Sequence, residues 1–344
     1  MSTAPYDAVN EYILAEFSAL VRALGGEPDV LLWQAGIDPA FFESGSYKPA
    51  YRQMVRLVAL AATQLQCLDF GMRLAKAQYE TIRSPLLQLV EACRTLGEAL
   101  EQVTAHSNAH SPAAAIWLRR APSGETVTLG HDILLDGLPQ RAQAMEQILL
   151  AAHLVICKIM GGSVRARRIC FRHQPISPLR TYRHYFGCEV KFGQQEDAII
   201  FRQRDMACPT ARPDEHAFSA ALDYIDGQDF GRPPLHARVR GMVMNLLGTE
   251  QCRNEYVADA LHLQTRAMHR QLAAEGTSFQ RIKNEVRREL LTYYLELTRL
   301  DLTLVSERLG FAEQSALTYF SRKWLGGAPS LIRSRAVSVQ NEQV

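Results

Sequence analysis

The stretch LHLQTRAMHRQLAAEGTSF, residues 261–279, decides how the C-terminal third is read. At about 100° per residue, Arg266, His269 and Arg270 share one helical stripe while Met268 and Leu272 fall roughly opposite. One side is suited to burial and the other offers cationic and imidazole donors. Gly276 is placed to end this helix. The preceding RNEYVADALHL (253–263) reads as a second short helix that meets the first at His262, Leu263 and Gln264. Val257, Ala258, Leu261 and Leu263 supply its apolar side, and Ala258 is small where the helices cross, a helix-turn-helix pattern.

The arrangement returns. Val257-Ala258-x-x-Leu261-His262-Leu263 reappears 48 residues later as Val305-Ser306-x-x-Leu309-Gly310-Phe311. Gly310 can take positive φ without cost, and histidine is enriched among the non-glycine residues that do so. Between the copies, GTSFQRIKNEVRRELLTYYLELT (276–298) predicts one long helix. Thr277 and Gln280 have capping-box spacing, and Phe279, Ile282, Val286, Leu290 and Leu297 form the buried stripe. Further helices are expected at 236–247, 253–262, 265–275, 302–309 and 315–325, with no strand after about residue 236.

Working outward, the turn-rich CPTARPDEH (208–216) and GQDFGRPP (227–234) flank AFSAALDYI, which can make a short helix. The expected division is 1–210, a linker at 211–235, an all-α domain at 236–335 and a flexible tail at 336–344. Before residue 210, helices are expected near 9–25, 49–65, 84–93 and 96–108. AAAIWLRR, APSGE and TVTLGHDI then read as a β-hairpin. A helix at 139–160, a strand at RRICFRH, a helix at PLRTYRHYF and short strands at EVKF and AIIF complete a mixed region. The fold class is therefore α+β: an N-terminal mixed α/β domain and a C-terminal all-α domain with two helix-turn-helix motifs joined by a long helix.

A length of 344 residues fits two cores, and 47% hydrophobic with 22% charged residues excludes general disorder. No apolar run of about 18 residues and no basic-then-hydrophobic leader is seen, so a cytoplasmic protein away from membranes is expected. Cys67, Cys93, Cys157, Cys170, Cys188, Cys208 and Cys252 are scattered without a CxxC, as for reduced structural thiols. Residues 236–344 hold 15 Lys and Arg against 11 Asp and Glu, whereas 1–235 hold 23 against 25. The small cationic surplus sits with the paired motifs.

LQTRAMHRQLAAEGTSFQ, EVRRELLTYYL and LGFAEQSALTYFSRKWLGGAPS resemble the C-terminal double helix-turn-helix of AraC-type transcriptional regulators over about residues 236–335. QAGIDPAFF, RSPLLQLVEACRTLGEALEQV and YFGCEVKFGQQEDAIIF resemble the arabinose-binding-like regulatory domain of one AraC-type subgroup. The resemblance implies a homodimeric activator that binds double-stranded promoter DNA, works with RNA polymerase and answers to a small-molecule effector bound in the first domain, which senses the effector or mediates dimerisation. It does not name the effector.

Carried over by position, Thr265, Arg266, His269 and Arg270 face the major groove, where Arg can grip guanine O6 and N7. The matching positions in the second motif are Gln314, Ser315, Thr318 and Tyr319. Here the chain departs from the pattern: Tyr319 stands where Arg is common and Ser321 where a core aromatic is common, so the first motif is expected to dominate base choice. Arg322, Lys323, Arg333 and Arg335 are candidates for phosphate contact, with surface charge as the plain alternative.

His106 and His110 of HSNAH have a metal-compatible spacing but no third ligand, so no metal is expected. No phosphate-binding, dinucleotide-binding or nucleophile-elbow motif is present, so neither a cofactor nor catalysis is expected. Trp33, Trp117, Tyr182, Tyr185 and Phe186 read as core aromatics rather than a ligand site. The competing functions are an enzyme tethered to DNA and a DNA-binding protein that needs no effector.

Overall fold

The computed structural model describes residues 6–43, 48–81, 84–138 and 140–341. The chain divides into two units between Pro233 and Pro234.

In the first unit the helices are α1 (Phe17–Ala23), α2 (Pro28–Ala35), α3 (Pro39–Glu43), α4 (Tyr51–Gln64), α5 (Phe70–Gln78), α6 (Pro85–Ala92), α7 (Leu96–Ala105), α8 (Ser107–His110), α9 (Ala142–Ile159), α10 (Leu179–Phe186) and α11 (Glu215–Asp226). The strands are β1 (Ala114–Arg120), β2 (Thr126–Ile133), β3 (Arg168–Cys170), β4 (Glu189–Lys191) and β5 (Ala198–Arg202), in the order β1-β2-β5-β3-β4. The hairpin is antiparallel with Trp117 opposite Gly130, and only β3 and β4 run parallel. Its turn closes through the Gly124 N–H to the Ala121 carbonyl, with Gly124 at φ 69°.

Sequence rules explain several boundaries. Ser84 accepts from the Leu87 N–H with Pro85 in the first turn of α6, and Thr95 accepts from the Glu98 N–H at the start of α7. The stretch expected as one helix over 9–25 breaks at Glu16, φ 64°, before α1. Helices α2, α3 and α5 were not expected. In α5, a Cβ on Gly71 would sit 2.1 Å from the Gln143 carbonyl oxygen, so glycine lets α5 press against α9.

Two larger expectations also need correction. Helix α9 is long and apolar enough to cross a membrane by length and composition, contrary to the reading of its sequence. It is a core helix, 61% buried, whose Gln143 donates to the Leu68 carbonyl and accepts from the Gly71 N–H, and whose Gln147 donates to the Ile13 carbonyl. The second correction concerns 211–235, which is not a free linker. The Ala211 N–H donates to the Ile159 carbonyl and the Asp214 N–H to the Ala92 carbonyl, while Ala221 and Ile225 of α11 bury against Leu89 of α6.

The second unit is helical among its described residues: α12 (Leu235–Leu246), α13 (Asn254–Ala260), α14 (Thr265–Ala274), α15 (Phe279–Leu297), α16 (Leu302–Arg308), α17 (Gln314–Leu325) and α18 (Pro329–Asn341). The α15 stripe holds at Phe279, Ile282, Val286 and Leu290, then continues through Leu291, Tyr294 and Leu295, leaving Leu297 48% exposed. Ser278, not Thr277, caps α15 by accepting from the Arg281 N–H. Thr277 is spent on the exit of α14, where Gly276 at φ 74° lets its N–H reach the Leu272 carbonyl. The tail expected to fray from residue 336 is helical through Asn341, and 342–344 lie outside the described residues.

Candidate nucleic-acid interface and an internal cavity

The two helix pairs, α13–α14 and α16–α17, repeat down to single hydrogen bonds. The Leu261 N–H donates to the Val257 carbonyl, His262 to Asp259 and Leu263 to Ala258; Leu309 donates to Val305, Gly310 to Glu307 and Phe311 to Ser306. His262 takes φ 58° and Gly310 φ 67°, the same left-handed turn on two residue types. Ala258 and Ser306 are both buried at the crossing. The second turn is one residue longer, so Met268 and Leu272 align with Leu317 and Ser321, 49 residues on, and all four are fully buried.

This packing sets which side chains face out. On α14, Arg266, His269 and Arg270 are exposed and Thr265 is half-buried. His269 Nε2 lies 2.9 Å from Asn254 Oδ1, which orients the ring toward α13. Among the described residues, Arg266 and Arg270 have no hydrogen-bond or ion-pair partner. On α17, Gln314, Ser315 and Tyr319 are exposed, Tyr319 by 68%, and Thr318 is half-buried. Ser315 donates to the Glu313 carboxylate and Thr318 to the Gln314 carbonyl, so this face is more self-satisfied than that of α14. The core aromatic of this helix is Phe320, stacked on Trp324 at 5.6 Å, while Ser321 donates to the Gly327 carbonyl.

Arg322 and Lys323 are exposed in the last turn of α17, where cations also suit the helix dipole. Arg335 is exposed as well, while Arg333 is half-buried and donates from Nη2 to the Leu300 carbonyl at 2.7 Å.

Sequence reasoning missed the residues that bind the two motifs into one body. From α15, Lys283 donates to the Cys252 carbonyl at 2.7 Å, just before α13. One turn on, Arg287 donates to the Leu309 and Gly310 carbonyls at 2.9 and 2.8 Å and lies over the Phe311 ring. Gly248 fits against the same turn: at φ 86°, a Cβ there would lie 2.8 Å from the Arg308 carbonyl oxygen. At the other end, Glu275 accepts from the Leu235 and His236 N–H groups at 3.0 and 2.8 Å. Partial burial works to raise the Glu275 pKa, but these bonds outweigh it and hold the carboxyl below its ordinary value.

Two family descriptions match this layout. The arabinose-binding N-terminal domain of AraC transcription regulators covers residues 25–210, and a helix-turn-helix domain covers 257–335. The chain belongs to the AraC family of transcription regulators. AraC-type relatives include the HTH-type transcriptional regulator VirS of Mycobacterium tuberculosis, 30% identical over 319 residues, which are 92% of this chain and 94% of VirS. The ornithine utilization regulator of Pseudomonas aeruginosa is 28% identical over 194 residues, 54% of this chain and 56% of its own. The crystal structure of the transcriptional regulator CdpR from Pseudomonas aeruginosa aligns over 89% of this chain and 96% of its own, with 21% identity and a TM-score of 0.43.

In the AraC-type regulatory unit lies a cavity of about 220 Å³. It is walled by α5, α6, α9 and the hairpin, and His110 and His131 stand on it. Their rings meet edge-on with centroids 5.6 Å apart. His131 Nε2 lies 3.2 Å from the Tyr51 hydroxyl, and His110 Nε2 is buried with no partner among the described residues. Burial pushes His110 down to about 4; burial, then the neighbouring His110, pushes His131 down to about 3.

The aromatics considered from sequence do not line the cavity. Trp33 is 62% exposed, Tyr182 and Phe186 are core, Tyr185 donates to Asp69, and Trp117 covers Gly130 while donating to Asp132. The HSNAH pair, set aside as a metal site, divides between two roles. His106 bonds back to the Gln102 carbonyl, and only His110 reaches the cavity.

Proposed function

We propose that this AraC-family regulator activates promoters under the control of a small effector held in the cavity of its first unit, as a homodimer that engages RNA polymerase. As a DNA-binding protein it works in the cytoplasm. Arg266 and Arg270 read bases in the major groove, Thr265 and His269 support them, and Gln314, Ser315, Thr318 and Tyr319 form a weaker second reader. Arg322 and Lys323 add phosphate contacts whose contribution falls with salt.

The observation that carries this reading is the pair of exposed, unpartnered guanidinium groups on α14, held on a duplicated frame. At about 1.5 Å rise per residue, the 19 residues of α15 run about 28 Å, close to the roughly 34 Å of one duplex turn. Effector control rests on the cavity: a ligand that favours one arrangement of the protein shifts the population toward it.

Sequencing the genomic DNA fragments retained by the purified protein tests the reading. Two short boxes one helical turn apart, upstream of transcribed genes, are the expected result. Retention without sequence preference overturns it.

A further inference from the structure

The cavity in the first unit has walls with a definite chemistry. Ala75, Leu87, Val90, Ile116, Ile148 and Ala152 present hydrocarbon from three helices and the hairpin. Most polar groups named on the wall are already spent on the protein. Asn10 Oδ1 accepts from the Tyr12 N–H, and Ser84 Oγ accepts from the Leu87 N–H. The Gln78 amide donates to the Ile13 and Ala15 carbonyls and accepts from Gln147. The half-buried Tyr12 and Tyr79 also stand on the wall, and His110 Nε2 is fully buried there without a partner among the described residues.

We infer that this cavity binds a small neutral molecule, chiefly hydrocarbon, that bears one hydroxyl-type group directed at His110 Nε2, and that it does not bind a sugar or an amino acid. The inference deepens the proposed effector control and rests on it for its regulatory meaning. A hydroxyl suits either imidazole tautomer, since it both donates and accepts. The space is about 220 Å³, so the part of the ligand inside is a small molecule. A pentose brings a hydroxyl on nearly every carbon to a wall that is mostly hydrocarbon, and each one left unpaired loses its hydration uncompensated. Both histidines stay neutral near pH 7 because burial lowers them, so an ammonium or carboxylate finds no counter-charge from them.

The test uses the full-length protein with 1-heptanol, heptanoate and L-arabinose as probes, read by calorimetric titration and thermal melting. DNA affinity is measured in parallel on fragments the protein retains. Heptanol is expected to bind saturably and raise the Tm. His110→Leu should weaken it about tenfold, the equivalent of one hydrogen bond. Ala152→Phe should abolish it by filling the space, and Val155→Phe serves the same purpose should the first variant fold poorly. Tight binding of arabinose or heptanoate that Ala152→Phe blocks overturns the inference while leaving effector control standing. Heptanol binding that survives both filling variants, or no heptanol binding at all, also overturns it. Heptanol binding in the cavity with unchanged DNA affinity upholds the ligand class and defeats effector control instead.

Discussion

Arg266 and Arg270 are two cations on an exposed helix with nothing in the described chain to neutralise them. Arg270→Ala should cost roughly 1–3 kcal/mol on a specific site and relax preference at one base pair, measured on a panel of singly mutated operators. An equal loss on every sequence would make Arg270 a phosphate contact. A second residue-scale prediction concerns His110. Its folded pKa of about 4 lies below the unfolded value near 6.5, so between them the unfolded chain binds the extra proton and stability falls as pH falls. His110→Leu should remove up to about 1.4 kcal/mol per pH unit from that slope, seen by comparing urea melts at pH 7 and 5. Burial gives Glu146 the opposite trend by raising it to about 8, but Glu146 is common to both proteins and cancels in the comparison. At this scale the outward face of α14 was legible, because a 3.6-residue period assigns sides without knowledge of the partner. The role of Arg333 was not, because a carbonyl acceptor such as that of Leu300 is the same on every residue.

At the scale of elements, the duplicated motif was readable from apolar spacing and one turn residue, while the device that locks it was hidden. Arg287 looks like one more surface cation in RIKNEVRREL until its guanidinium meets the Leu309 and Gly310 carbonyls. Arg287→Ala should lower the stability of the second unit by roughly 2–4 kcal/mol and raise amide exchange in α16 and α17 more than in α13. Gly310→Val forces a β-branched residue into positive φ and should destabilise the second unit, whereas His262→Gly relieves the same conformation and should be tolerated. Chemical melts of the three variants check this ordering. Helix α5 escaped the sequence reading for a related reason: its glycine serves a close approach to α9, which local propensity does not record.

Across the whole molecule, the number of domains and the start of the second were legible from turn composition, but the packing of 211–233 on the first unit was not. CPTARPDEH has loop chemistry, and it is tertiary hydrogen bonds, among them those to Ile159, Ala92 and Arg94, that bring it into the first unit. A chain truncated to 234–344 should therefore melt cooperatively and retain the same DNA fragments, while one ending at residue 210 should lose the α6–α11 packing and aggregate. The bracket of Lys283, Arg287 and Gly248 has a consequence for the genome as well as for the protein. Two reading heads fixed to a single rod cannot follow their targets around the double helix. On the proposed two-box reading, five base pairs inserted between the boxes should turn the second one to the far side of the duplex, away from a motif held by the bracket. Drift in promoters read this way should change letters far more readily than add or remove them.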